Sequence, residues 1–66
     1  MLFTVILKSG VVSKFQSVDY KVAEPFGVKS YVFYSSDQPD TADYDAVFDL
    51  SEVSGIIKSS NDNPNI

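Results

Sequence analysis

The sequence has 66 residues, enough for one small domain, and its five lysines and nine acidic residues give a formal net charge of −4. It contains no His, Cys, Arg or Trp, which excludes disulfides, the usual zinc ligands and the nucleophile–His pairs of many hydrolases. An apolar content of 44% is typical of a folded domain. A domain this small buries only about 60% of its unfolded surface, so we expect a marginal core that a second subunit could support.

Residues 2–8 are predicted to form the first β-strand. One face of this strand carries three apolar residues, Phe3, Val5 and Leu7. Leu2 and Ile6 make the other face apolar as well, which predicts a strand covered on both sides. Ser9-Gly10 predicts a turn, and therefore a hairpin to the next strand.

The apolar run at the N-terminus lacks the basic region and cleavage site of a signal peptide, and it is too short to cross a membrane. We therefore expect a cytoplasmic protein with no membrane association. If the chain is encoded by a phage, this means the host cytoplasm.

The segment 11–24 fits two templates. A helix template aligns four apolar residues, Val11, Phe15, Val18 and Val22. A strand template aligns Val18, Tyr20 and Val22 but places Phe15 on the opposite face. The segment is rich in valine, and its centre has no Ala or Leu, which favours a strand. We predict a strand with a bulge or bend near Gln16-Ser17 that reverses which side faces inward.

The remainder of the chain predicts three more strands, at 28–35, 46–50 and 55–58. In the first of these, Tyr31 and Phe33 face one way, and Val32 and Tyr34 the other. The connections are a turn at Pro25-Phe26-Gly27, a polar loop at 36–45 and a helical turn near 50–54, where Asp49 and Glu52 have the spacing of a capping box.

The predicted fold class is therefore all-β. We expect a small, partly open barrel or a strongly twisted antiparallel sheet of four to five strands. Residues 1–58 are predicted to form the single domain, and 59–66 a flexible polar tail.

Charge is unevenly distributed along the chain. Between residues 30 and 57 there is no lysine, while six of the nine acidic residues lie there: Asp37, Asp40, Asp43, Asp45, Asp49 and Glu52. Their spacing does not match a calcium-binding loop, so no metal site is predicted. The acids either bind a basic partner, with Tyr44 as an apolar anchor, or keep a small domain soluble.

Catalysis and nucleic-acid binding both lack support in the sequence. The ten serines have no His to activate them, and a chain of this length has little volume for a pocket that shifts the pKa of a carboxyl group. We predict that the protein is not an enzyme and has no cofactor. Four lysines in a chain of net charge −4 also make a weak phosphate-binding surface.

The predicted layout is similar to that of Sm-like and SH3-like small barrels. The similarity rests on the Ser9-Gly10 turn, the bent second strand, the polar loop and a short last strand near Ile56-Ile57. The second strand lacks the glycine of the Sm pattern and the chain has no Arg-Gly signature, so RNA binding is not implied.

In its size, β character and opening strand followed by Leu-Lys-Ser-Gly at 7–10, the chain also resembles small accessory proteins of phages and prophages. Such proteins commonly bind and block host proteins, including defence nucleases, sometimes through acidic surfaces that imitate DNA. The resemblance implies an inhibitor of a larger host protein.

These observations lead to three hypotheses. The first is a non-catalytic inhibitor that binds a host protein through seven residues: Asp37, Asp40, Asp43, Tyr44, Asp45, Tyr31 and Tyr34. The second is a symmetric homo-oligomer that holds a nucleotide or small ligand between its subunits, with phosphate bound by Lys8, Lys14, Lys21 or Lys29. The third is a structural or assembly subunit without a discrete site.

Overall fold

The computed structural model describes residues 1–35 and 43–59. These residues form six strands: β1 (Leu2–Leu7), β2 (Val12–Gln16), β3 (Asp19–Ala23), β4 (Ser30–Tyr34), β5 (Tyr44–Asp49) and β6 (Val53–Ser59). Sheet A is antiparallel with the order β2-β1-β6, and sheet B is antiparallel with the order β3-β4-β5. The predicted all-β fold is confirmed, and over the described residues the two sheets do not close into a barrel.

Strands β2 and β3 are the two halves of one bent strand that passes from sheet A to sheet B. At the bend, the amide of Ser17 donates to the carbonyl of Met1, which precedes β1, at 3.0 Å. The next amide, that of Val18, donates to the carbonyl of Tyr34 in β4, also at 3.0 Å. Successive amides thus bond to different sheets, and the prediction of a bent strand rather than a helix is confirmed.

The core lies between the two sheets. Its centre consists of three fully buried apolar residues, Phe3, Val5 and Phe33. Partly buried residues from every strand pack against it: Leu7, Phe15, Tyr20, Tyr31, Ala46, Phe48, Val53 and Ile56. Phe15 and Tyr20 both face inward although an odd and an even position would alternate along a regular strand. The bend between them reverses the alternation, as predicted.

Aromatic packing connects the two sheets through one ring. The Phe33 ring lies 4.9–5.9 Å, centroid to centroid, from four others: Phe3, Phe15, Tyr20 and Phe48. Three of these pairs are edge-to-face and the pair with Tyr20 is stacked, geometries that contribute about 0.5–1.5 kcal/mol per pair beyond the area buried. The strand β4 is therefore held on its inner face by aromatic residues from four other strands.

The predicted turns are present. Gly10 in the β1–β2 hairpin and Gly27 in the β3–β4 hairpin have φ of 94° and 81°. A 3₁₀ turn spans Leu50–Glu52, where Asp49 Oδ1 accepts a hydrogen bond from the amide of Ser51 at 3.0 Å. This confirms the helical turn near 50–54.

Several predicted boundaries are wrong by one or two residues. Residues 44 and 45 belong to β5 rather than to the polar loop, because Tyr44 pairs with Tyr34. Strand β6 begins at Val53, which pairs with Leu7 of β1, and β4 begins at Ser30 rather than at 28. Cross-strand pairing of this kind is not visible in local composition. Strand β6 ends at Ser59, and the predicted tail beyond it lies outside the described residues.

Replacement of Gly10 by Ala should destabilise the fold by about 1 kcal/mol, because a left-handed backbone conformation strains a residue with a Cβ atom. An added Cβ would meet no atom within 4 Å at Gly10 or at Gly55, and Gly55 does not have positive φ. Gly55→Ala is therefore the matched control. Urea unfolding should show a lower midpoint for Gly10→Ala alone, and equal midpoints for the two variants would contradict the strain argument.

Candidate functional site

Five of the seven predicted partner-binding residues fall within the described part of the chain. Asp43 precedes β5, Tyr44 and Asp45 begin it, and Tyr31 and Tyr34 lie in β4. Asp37 and Asp40 lie outside the described residues. The site is therefore built from the β4–β5 pair.

Strand register places one aspartate and two tyrosines in a row across sheet B. Tyr34 in the central strand has Asp19 of β3 opposite it on one side and Tyr44 of β5 on the other. Both tyrosines are half-buried and Asp19 is exposed. This row lies on the face of sheet B that points away from the core, since Tyr20 and Phe33, the next pair along the strands, point into the core.

Asp45 lies at a β-bulge beside this row. Phe33 pairs with Ala46 and Tyr34 pairs with Tyr44, which leaves Asp45 as the extra residue on β5. A bulge changes the direction in which the side chain of its extra residue points. The Asp45 carboxylate can therefore reach the bend between β2 and β3.

Two serine hydroxyls hold the Asp45 carboxylate. Ser17 Oγ and Ser35 Oγ each lie 2.6 Å from Asp45 Oδ2. Ser17 Oγ is also 3.0 Å from the carbonyl oxygen of Tyr34, but its single proton favours the shorter, charge-assisted bond to the carboxylate. Bonds from Ser17 first and Ser35 second lower the pKa of Asp45 below its ordinary value of 3.8. Asp45 is therefore a charged residue in a fixed orientation at neutral pH.

Tyr31 and Tyr34 do not share a surface. Tyr31 faces the core, where its ring lies 5.9 Å from that of Tyr20 in an edge-to-face arrangement. Tyr34 faces outward, and Lys21 Nζ lies 5.7 Å from its ring centroid, within the range of a cation–π interaction. The alternation of β4 thus separates the two predicted tyrosine anchors.

A buried side chain occupies the centre of the outward face of sheet B. Val32 faces away from the core yet is fully buried, and the residues directly opposite it are Lys21 and Val47. The Asp19–Tyr34–Tyr44 row lies at one end of this face.

The two sheets carry opposite charge. The strands of sheet A contain two lysines, Lys14 and Lys58, and no acidic residue. The strands of sheet B contain three aspartates, Asp19, Asp45 and Asp49, and one lysine. The four lysines of the predicted phosphate site are dispersed. Lys14 lies in sheet A and Lys21 in sheet B, while Lys8 and Lys29 lie in connecting segments.

Sequence reasoning missed Asp19. It lies 15 positions before Tyr34, and the β3–β4 pairing brings them together. The predicted bend near Gln16-Ser17 was the signal that could have found it, because the bend starts β3 beside the end of β4.

Within 1–35 and 43–59 the structure encloses no pocket and brings together no group of three or more His, Cys, Asp or Glu residues able to hold a metal ion. The same part of the chain has no helix with the length and hydropathy needed to cross a bilayer.

Comparisons with known proteins gave no match among family models, curated proteins or solved structures.

Proposed function

We propose that the protein is a non-catalytic inhibitor that binds a basic patch on a larger host protein. Binding would use the acidic tyrosine surface, which we define as Asp19, Tyr34, Asp43, Tyr44 and Asp45. The observation that carries the proposal is the Asp19–Tyr34–Tyr44 row with the fixed carboxylate of Asp45 beside it. The resemblance to phage accessory proteins supplies the host as the source of the partner.

Fixed orientation of its groups favours this surface as a binding site. Asp45 is held by Ser17 and Ser35 before any partner arrives, so less side-chain entropy is lost when it pairs with a cation. Tyr34 and Tyr44 are part of a paired β-ladder and offer rigid, amphipathic contact area. Aspartates around them would attract a basic partner and set its orientation.

The charge distribution favours contact through sheet B rather than sheet A. A basic partner would meet the three aspartates of the sheet B strands, while the two lysines of sheet A lie in the other layer. A surface that imitates the negative charge of DNA would bind the basic site of a protein that normally binds DNA. The meander, the bent strand and the 3₁₀ turn before the last strand also support the SH3-like layout for the scaffold.

The first experiment replaces the two acids of this surface that the serines do not hold, Asp19 and Asp43, by Asn. Affinity for a protein captured from host lysate and then purified should fall roughly tenfold, since each exposed charge pair contributes up to about 1 kcal/mol. The salt dependence of binding should flatten between 50 and 300 mM NaCl, because fewer charge pairs remain to be screened.

The matched control also removes two acidic charges, at exposed positions outside this surface, as Glu24→Gln and Glu52→Gln. It should leave affinity close to that of the wild type. Equal losses for both double variants would mean that net charge alone governs binding, and unchanged binding of the Asp19/Asp43 variant would remove these acids from the site. Tyr44→Ser tests the aromatic anchor separately, with circular dichroism to confirm that the fold is retained.

A further inference from the structure

The Tyr34 ring on the outward face of sheet B already holds a cation. Lys21 Nζ lies 5.7 Å from the ring centroid, within the range of a cation–π interaction. The contact crosses the sheet diagonally, because Lys21 lies opposite Val32 and Tyr34 lies opposite Asp19. Lys21 and Asp19 are both exposed, so a partner can reach the ring and the carboxylate together. The ring is therefore a place where a positive group binds, and the chain's own lysine occupies it.

Two carboxylates near this ring are oriented by their own chain. Asp19 Oδ1 accepts a hydrogen bond from the amide of Tyr20 at 2.8 Å. Asp45 Oδ2 accepts hydrogen bonds from two serine hydroxyls, each at 2.6 Å. In each aspartate these bonds use one oxygen, and the other oxygen takes no part in them. The surface thus offers an aromatic ring with oriented acceptors beside it.

We infer that the acidic tyrosine surface binds an arginine side chain of the partner. The guanidinium takes the place of the Lys21 ammonium over the Tyr34 ring and pairs with Asp19. This inference rests on the proposed function, because it names the group of the basic partner that the surface receives. It makes Lys21 an internal competitor that the partner's cation displaces.

Displacement of Lys21 favours arginine over lysine in the partner. A second ammonium would gain mainly the ring contact that Lys21 gives up, and Lys21 makes that contact without the cost of association. A guanidinium is planar and less strongly hydrated than an ammonium, and it stacks on aromatic faces. It also donates two parallel hydrogen bonds to one carboxylate. An arginine can therefore contact Tyr34 and Asp19 together and exceed what Lys21 gains.

Lys21 also has a structural role, which a test must separate from competition. Val32, directly opposite Lys21, is fully buried on the outward face of sheet B, and the methylene stem of a lysine can cover such apolar surface. Lys21→Met keeps a stem of similar length and removes the ammonium. Lys29→Met is the matched control, because Lys29 is exposed and precedes β4, roughly 16 Å along that strand from Tyr34.

NMR titration of the full chain with three blocked tripeptides tests the inference. The peptides are acetyl-Gly-Arg-Gly-amide and its counterparts with Lys or Gln in the middle, each added in about 0.15 M NaCl. The Arg peptide should shift the ring protons of Tyr34 and bind at least about fivefold more tightly than the Lys peptide, because it adds paired hydrogen bonds. The uncharged Gln peptide should leave the Tyr34 signals unchanged.

Removal of the internal competitor should tighten binding of the Arg peptide. Lys21→Met should gain about two- to fivefold in affinity, the range that corresponds to an exposed cation–π contact. Lys29→Met removes the same charge from beyond the Debye length of about 8 Å, so its affinity should stay close to that of the wild type. Circular dichroism checks that both variants are folded.

Three results would overturn the inference: equal Tyr34 shifts from the Arg and Gln peptides, equal affinity for the Arg and Lys peptides, or equal effects of Lys21→Met and Lys29→Met. The wild-type titrations need neither a variant nor a host protein. Arg-selective binding by a chain whose Asp19/Asp43 variant keeps its host affinity would support this inference and contradict the proposed function. Loss of host binding in that variant, with no selectivity for the Arg peptide, would support the proposed function and contradict this inference.

Discussion

Phe33→Ala is expected to remove most of the free energy of unfolding and to leave the protein at best marginally folded at room temperature. Phe33 is fully buried and its ring contacts four other aromatic rings. Replacement of a buried Phe by Ala costs about 3–5 kcal/mol, through lost burial and the cavity left behind. Marginal proteins have total stabilities of about 5 kcal/mol, and a 66-residue chain without disulfides or metal is expected near that limit.

Urea unfolding monitored by circular dichroism and tyrosine fluorescence measures this loss. Phe26→Ala is the matched control, because Phe26 is 66% exposed in the β3–β4 hairpin, and it should change the free energy of unfolding by less than about 0.5 kcal/mol. Phe33→Leu, which keeps most of the volume, should be intermediate and remain folded enough to measure. A Phe33→Ala variant as stable as Phe26→Ala would mean that the aromatic core does not hold the sheets together.

The division of the β4 side chains between two faces could be predicted from the sequence because alternation is a local property of the chain, although which face points inward was not predicted. Tyr31 and Phe33 do face the core, and Val32 and Tyr34 do face outward. The bend in the second strand could be predicted for the same reason: Phe15 and Tyr20 cannot share a face in a regular strand. Apolar character alone was a weaker guide, since Val22 shares the face of Tyr20 but is 54% exposed.

The composition of the candidate site could be predicted only in part. The acidic stretch predicts Tyr44 and Asp45 as site residues, and in the structure they lie beside Tyr34. The separation of Tyr31 from Tyr34 follows from the local alternation of β4, whereas the contribution of Asp19 depends on cross-strand register. Register is set by pairing between distant segments and by a bulge, and neither leaves a pattern in a window of local sequence.

The strand bend gives a structural reason for treating Asp45 differently from the other acids. Its carboxylate joins three segments: the bend at Ser17, the end of β4 at Ser35 and the start of β5. The amides at 17 and 18 bond to opposite sheets at the same point. Asp45, which belongs to the proposed binding surface, therefore also connects the strands at the point where the two sheets meet. Replacing Asp45 tests stability as well as the proposed binding.

Ser17→Ala should reduce the free energy of unfolding by about 1.5 kcal/mol. This is the lower end of the range for a hydrogen bond to a charged group. We expect the lower end because Asp45 is exposed and water can replace the lost hydroxyl. Ser17 itself is buried at 3% exposure. Ser35→Ala removes the second bond from an exposed position and should change stability by less than about 0.5 kcal/mol. Carboxyl NMR titration should show a raised Asp45 pKa in both variants.

The same bonds predict how stability depends on pH. The pKa of Asp45 in the folded protein lies below its ordinary value of 3.8, so the charged carboxylate stabilises the fold above that value. This contribution is lost as pH falls through the lower, folded-state pKa. Between about pH 5 and pH 2 the free energy of unfolding should therefore fall more steeply in the wild type than in Ser17→Ala or Asp45→Asn. Parallel curves for the three proteins would show that the serine-held carboxylate does not contribute to acid sensitivity, even if Ser17→Ala is destabilised at neutral pH.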